Sequence, residues 1–343
     1  MRWWNLYVGL QYFAAQRIFI FFPKGGSIVM VYLNAFALML PVLLLVLVGV
    51  FFRRTHFLRA ETVTEMKKLV VNVTLPLVLF NAFATMQFEL RYLAIVAAVF
   101  LLNVLVVSVS WWVVGRRQDV SPFFPHMMTG FEAGMMGYAI FGAVYGTANI
   151  SKLAVVDLGQ VLFVFLVLIS SMQRGQGAQW GVKQTLRSLM RTPPIIGISL
   201  GVLANLSGVY RLLQSWSLTI ALLTTMGLLA GLTMPLVAII LGYELQIKPG
   251  SLGRPLRTVA LRLTTWVLLG LAMNTWLIGG WLKLDAAFQA AVMLLFVLPP
   301  AFVIPLYMRA DQAKEQDYVL NTLSIATLAA LLAIMVVRVL YPA

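Results

Sequence analysis

Ten stretches of predominantly apolar residues constrain this chain more than any other feature, because about 20 such residues are what a helix needs to cross a bilayer. They fall at 31–52, 66–86, 91–114, 122–146, 154–173, 192–210, 216–244, 257–281, 286–308 and 316–340. Inside hydrocarbon every backbone N–H and C=O must be satisfied within the segment, which leaves the α-helix for runs of this length. The expected fold is therefore an all-α integral membrane protein of ten spans. Composition agrees: 61% of the residues are hydrophobic and 10% charged, where a soluble domain carries about 25% charge. With 0 cysteines, thiol catalysis, disulfides and thiolate metal sites are excluded, and the 2 histidines, His56 and His126, leave little for an imidazole site. No cluster of His, Asp, Cys or Ser marks one face of a span, so neither an enzyme nor a metal or other cofactor is expected.

The connections are short except for 174–191 and 245–256. The first begins Gly/Gln-rich, continues as a basic amphipathic stretch, and reads as a cytoplasmic linker resting on the membrane surface. Loop charges give the orientation. One alternate set of loops holds Arg53, Arg54, Arg59, Lys67, Lys68, Arg116, Arg117, Arg174, Lys183, Arg187, Arg191, Lys248, Arg254, Arg257, Arg262, Arg309 and Lys314. The other holds Arg91, Lys152, Arg211, Lys283 and Arg338. The richer set is cytoplasmic by the positive-inside rule, which puts both termini on the opposite side of the cell membrane. The net charge of +14 thus points to cytoplasmic loops and anionic lipid headgroups, not to nucleic acid. Residues 1–30, with Gln11, Gln16 and Arg17 interrupting an aromatic stretch, read either as an interfacial extension or as a segment preceding a true start at Met30.

The chain also repeats. Asn72-Val-Thr74-Leu-Pro76-Leu-Val78 in the second span answers Gly231-Leu-Thr233-Met-Pro235-Leu-Val237 in the seventh, at an offset of 159, and the same offset carries spans 3, 4 and 5 onto 8, 9 and 10. Residues 31–173 and 192–343 are thus two copies of a five-helix unit. Five is odd, so the copies enter the membrane from opposite sides. Inverted repeats permit two near-equivalent states, open inward and open outward, with substrate held near the midplane where helices are discontinuous.

Two spans carry such discontinuities. Span 4 places Gly130, Gly134, Gly137, Gly142 and Gly146 along its length, and span 9 contains Pro299, Pro300 and Pro305. Interior glycines cost about 1 kcal/mol each relative to alanine, and prolines remove amide donors. Such breaks survive at membrane depth where they line a cavity or are buried in protein. Glu132 alone among the acids sits well inside a span, with Asp157 and Glu244 near span ends. A carboxylate there costs about 2.5–3.5 kcal/mol on insertion scales and marks a pathway or proton relay; the plainer reading is a carboxylate that ties helices together. Among the polar groups Asn72, Thr74, Asn81, Asn103, Thr233, Asn274, Asn321, Thr322, Ser324 and Thr327, most serve interhelical hydrogen bonds. Thr74, Thr233, Asn321 and Ser324 are the candidates for substrate contact. His126 reads as interfacial, with a gating role as the alternative.

These residues resemble the auxin efflux carrier family, which includes malate permease-like and plant PIN-like carriers. The segments that carry the resemblance are Leu40-Pro41 through Gly49, Asn72-Val-Thr-Leu-Pro76, Met136-Gly137 through Tyr145-Gly146, Pro193-Pro194 and Leu298-Pro299, spread over 31–340. The resemblance implies ten helices in inverted repeats, as in bile-acid/sodium symporters. It further implies helices 4 and 9 crossing at broken segments, a scaffold with a moving transport unit, organic anions as substrates and a homodimer. The break region would include Pro76, Gly137, Tyr138, Ala139, Pro235, Pro299, Pro300 and Pro305. Glu132 stands where the family pattern has a crossing asparagine, and Ala139 where helix 4 has its proline; the second proline of helix 9 is displaced to Pro305. The expected function is a secondary carrier of small organic anions, chiefly carboxylates, working by elevator-type alternating access, with Glu132 at the substrate site and coupled to protons. A sodium-coupled anion symporter, a carrier of neutral or cationic solutes, and a membrane sensor that transports nothing are the rivals.

Overall fold

A computed structural model describes residues 28–117, 119–174, 190–248, 252–308 and 313–342, in which every regular element is helical and no strand is found. Chain order gives twelve helices: α1 (Ile28–Arg54), α2 (Ala60–Ala84), α3 (Tyr92–Arg116), α4 (Phe124–Met128), α5 (Tyr138–Tyr145), α6 (Thr147–Met172), α7 (Pro193–Leu206), α8 (Val209–Leu213), α9 (Ser217–Glu244), α10 (Gly253–Trp281), α11 (Ala286–Val297) and α12 (Ala313–Leu340). Seven helices among the described residues are long and apolar enough to cross a membrane: α1, α2, α3, α6, α9, α10 and α12. Two shorter apolar helices, α7 and α11, accompany them. The stretch 122–146, expected as one span broken by its glycines, is α4 and α5 with unwound chain and a π-turn between. The expected linker at 174–191 and the extension at 1–30 lie almost wholly outside the described residues.

Local sequence explains the irregularities. Pro76 cannot donate to a preceding carbonyl and crowds it, and α2 answers by widening into a π-turn over Val70–Thr74. In α9 the helix loses its regular winding at Leu232, just ahead of Pro235. Asp285 caps α11 by accepting the Phe288 N–H at 3.1 Å. Gly146, at φ 83°, lets the chain reverse between α5 and α6 in a conformation that a side chain would resist.

Glycines set how closely the helices approach. A Cβ on Gly242 would stand 1.8 Å from the Val46 carbonyl oxygen and one on Gly49 2.0 Å from that of Ile239, so α1 and the second half of α9 touch backbone to backbone. In α7, Gly197 and Gly201 meet α2 in the same manner, at 2.4 Å from the Pro76 oxygen and 2.6 Å from the Phe80 oxygen. Gly159 brings α6 onto α3 at Val96. The core lies where α5, α6 and α11 converge; of the eleven residues of α11 from Ala287 to Val297, all but Gln289 are buried. Outward faces of α1, α7 and α9 are apolar and exposed, as surfaces in contact with lipid are.

Candidate functional site

Two unwound stretches meet in the interior. One, 129–132, follows α4; the other, 298–303, follows α11. Glu132 joins them. Its N–H donates to the Pro299 carbonyl at 3.0 Å, and its carboxylate accepts from the Phe302 N–H at 2.7 Å and from the Met135 N–H at 3.1 Å. Met135 belongs to the π-turn Ala133–Gly137 that opens into α5, so the carboxylate sits where the positive end of that helical run lies. Gly134 leaves the space beside it open: a Cβ there would be 3.7 Å from Glu132 Oε1.

Several other freed backbone groups also find partners, as burial favours. Gly130 adopts φ +67°; its N–H donates to Asn103 Oδ1 at 3.1 Å, and its carbonyl accepts from Arg262. Arg262 donates further to the carbonyls of Met127 at 2.9 Å and Leu298 at 3.2 Å, and Trp266 Nε1 donates to that of Met128 at 2.7 Å. Gln160 serves Phe131 on both sides, accepting from its N–H at 3.2 Å and donating to its carbonyl at 3.1 Å, while also donating to Asp157 Oδ1 at 2.9 Å. Tyr138 donates its hydroxyl to Asp157 Oδ2 at 2.7 Å. Arg262 is therefore no loop cation as its sequence neighbourhood suggests: it lies in α10 with 1% of its surface exposed. Asp157 likewise lies in the interior of α6, which starts at Thr147 and not at 154.

Thr74 and Thr233 are buried where the Val70–Thr74 turn and the Thr233–Glu244 half of α9 pack against the Ala133–Gly137 turn. Neither hydroxyl has a hydrogen-bond partner among the described residues. Asn321 and Ser324 are placed differently. Asn321 pairs with both backbone groups of Lys248, at 2.8 and 3.2 Å, and Ser324 with both of Gln246, at 3.2 and 2.7 Å, so α12 clasps the chain that leaves α9. Ser324 nonetheless lines a cavity of about 280 Å³ with Lys67, Glu244, Phe302, Pro305 and Thr327, where Lys67 and Glu244 form an ion pair between α2 and α9. Phe302 links this cavity to Glu132. At the opposite end of α2 a second cavity, of about 440 Å³, is lined by Glu89, Arg91, Lys152, Lys283 and Asp285 among others. The Arg91 guanidinium beside Glu89 holds its carboxyl below the usual carboxylate range.

Of the break residues, Pro299 and Pro300 lie in the unwound stretch, Gly137 closes the π-turn, Tyr138 and Ala139 open α5, and Pro305 falls in a short 3-10 turn, Ile304–Tyr307. Pro76 and Pro235 stand close after Thr74 and Thr233. His126 is buried at 5% exposure, 3.1 Å from Ser171 Oγ and edge-on to Trp111. No group of three or more metal-ligating side chains is found among the described residues.

A family described as membrane transport protein matches residues 34–338. A protein of Methanothermobacter thermautotrophicus described as an uncharacterized transporter is 23% identical over 227 residues, which span 64% of this chain and 70% of that protein.

Proposed function

Since the chain belongs to the membrane transport protein family, the auxin efflux carriers, we propose that it is a secondary carrier of small organic anions, chiefly carboxylates, linked to protons through Glu132. The observation that carries this reading is the carboxylate of Glu132 seated on the amides of Met135 and Phe302. Paired amides at broken helices are what such carriers present to a substrate carboxylate. Here a carboxylate of the chain itself holds them. A substrate anion has the shape and charge to take its place once Glu132 is protonated and released, which ties one proton to each anion moved.

Ten spans in inverted five-helix repeats, 31–173 and 192–343, supply the frame for alternating access. Several pairings favour it. The α1–α9 contact and the α7–α2 contact are the same contact with the repeats exchanged, and both are made through glycines. Thr74 and Thr233 match in position and in lacking partners among the described residues. Asn103 and Arg262 stand 159 residues apart, and one holds the N–H, the other the carbonyl, of Gly130. The cavity at Lys67 then faces the cytoplasm and the one at Arg91 the other side, with both termini on that side as the loop charges indicate. A homodimer through the apolar faces of the scaffold helices completes the proposal.

Counterflow in proteoliposomes tests it: vesicles preloaded with malate should accumulate labelled malate without any ion gradient. Glu132→Gln should retain exchange yet lose its dependence on pH. Unchanged pH dependence would overturn the role of Glu132, and no exchange by folded wild-type protein across a panel of carboxylates would overturn the substrate class.

A further inference from the structure

The junction contains a buried charge that the substrate reading leaves unused. Arg262 is 1% exposed, and among the described residues no carboxylate lies within 4.0 Å of its guanidinium. A buried cation without an acid is unfavourable unless other groups supply the negative potential. Carbonyls supply it here. Those of Met127 and Gly130 come from the end of α4 and the chain leaving it, that of Leu298 from the end of α11. Two negative helix ends thus converge on one guanidinium, and the ring of Phe131, 4.9 Å away, adds its face.

Unwound carbonyls and half-helix C-terminal ends are the groups from which carriers with broken helices build sodium sites. We infer that Arg262 is a resident cation: its guanidinium fills, as a fixed part of the chain, the carbonyl cluster that a sodium-coupled carrier would offer to its ion, so exchange by this protein requires no alkali cation. Its counterpart at the 159-residue offset, Asn103, is neutral and meets Gly130 from the amide side. The charge is therefore present in the second half of the chain and not at its counterpart in the first. The fork geometry matters too, because a guanidinium can reach three carbonyls at once whereas an ammonium is a point charge. This inference rests on the proposed transport only for its exchange measurement; the cation cluster itself stands on the fold.

Purified wild-type and Arg262→Ala proteins are melted in choline chloride, in sodium chloride, and in choline chloride with low-millimolar guanidinium. The wild type should melt alike in all three. The variant should melt lower in choline and recover by about 2–4 °C when guanidinium or sodium occupies the vacated cluster, with Arg262→Lys between the two. Sodium-dependent stabilisation of the wild type would overturn the inference, as would a variant that melts like the wild type or responds to neither cation. Should Arg262→Ala fail to fold, wild-type malate counterflow in sodium against choline decides: equal rates are expected, and faster exchange in sodium overturns it. Cation rescue of the variant together with absence of any carboxylate exchange by the wild type would sink the substrate reading while leaving the resident cation in place.

Discussion

Thr74 and Thr233 are buried hydroxyls with no partner among the described residues, an arrangement that costs about 1–3 kcal/mol per group. Valine has nearly the same shape and no such penalty. If these hydroxyls await a substrate, Thr74→Val and Thr233→Val should fold at least as well as the wild type, with Tm unchanged or raised, while the KM for carboxylate exchange rises severalfold. A fall in Tm with KM unchanged would make them packing residues. Legibility at this scale was uneven, for physical reasons. Glu132 stands out in the sequence because an acid deep in an apolar run has no inexpensive explanation. Arg262 does not, because Arg254 and Arg257 precede it and the three read together as the basic end of the eighth span; with the helix starting already at Gly253, Arg262 lies inside it. The repeat offset is the signal that singles it out, since it pairs Arg262 with the recognisable Asn103. Gln160 offers no comparable signal, and Asn321 and Ser324 look free in a sequence because the backbone they clasp belongs to a distant connection.

The helices themselves were legible wherever apolar length or proline dictates them, and the unwound stretches fall at the glycines and prolines that weaken spans 4 and 9. Boundaries were less so: Thr147–Asn149 winds into the start of α6 and lengthens it past its apolar run. Close approach of helices was hidden, because a glycine gives no sign of what lies opposite. Gly242 and Gly227 in the same helix illustrate this. Gly242→Ala would thrust a methyl to 1.8 Å from the Val46 oxygen, and the α1–α9 pair should lose about 1–3 kcal/mol from overpacking. Gly227 has nothing within 4 Å of an added Cβ, so Gly227→Ala should gain about 0.4–1 kcal/mol. Unfolding midpoints of the two purified variants check the contrast; equal shifts would mean that the tight contact yields freely.

At the scale of the whole molecule, a multi-pass membrane protein was readable from composition and apolar length and a carrier from the internal repeat and the family resemblance, whereas what the interior joins could come only from the fold. The seating of Glu132 on two amides has a consequence in electrical terms. If an arriving monocarboxylate takes those amides while Glu132 holds a proton, one negative charge replaces another, and the moving body bears the same charge empty as loaded. A membrane potential does about 2.3 kcal/mol of work per elementary charge per 100 mV, but it finds no difference here on which to act. At a fixed proton gradient the level to which a monocarboxylate accumulates in proteoliposomes should therefore be the same with and without an imposed inside-negative diffusion potential, and an accumulation that follows the voltage would sink the one-for-one replacement. Such a carrier responds to acidity and to its cargo, and a cell that loses its membrane voltage while keeping its proton gradient would still be able to run it.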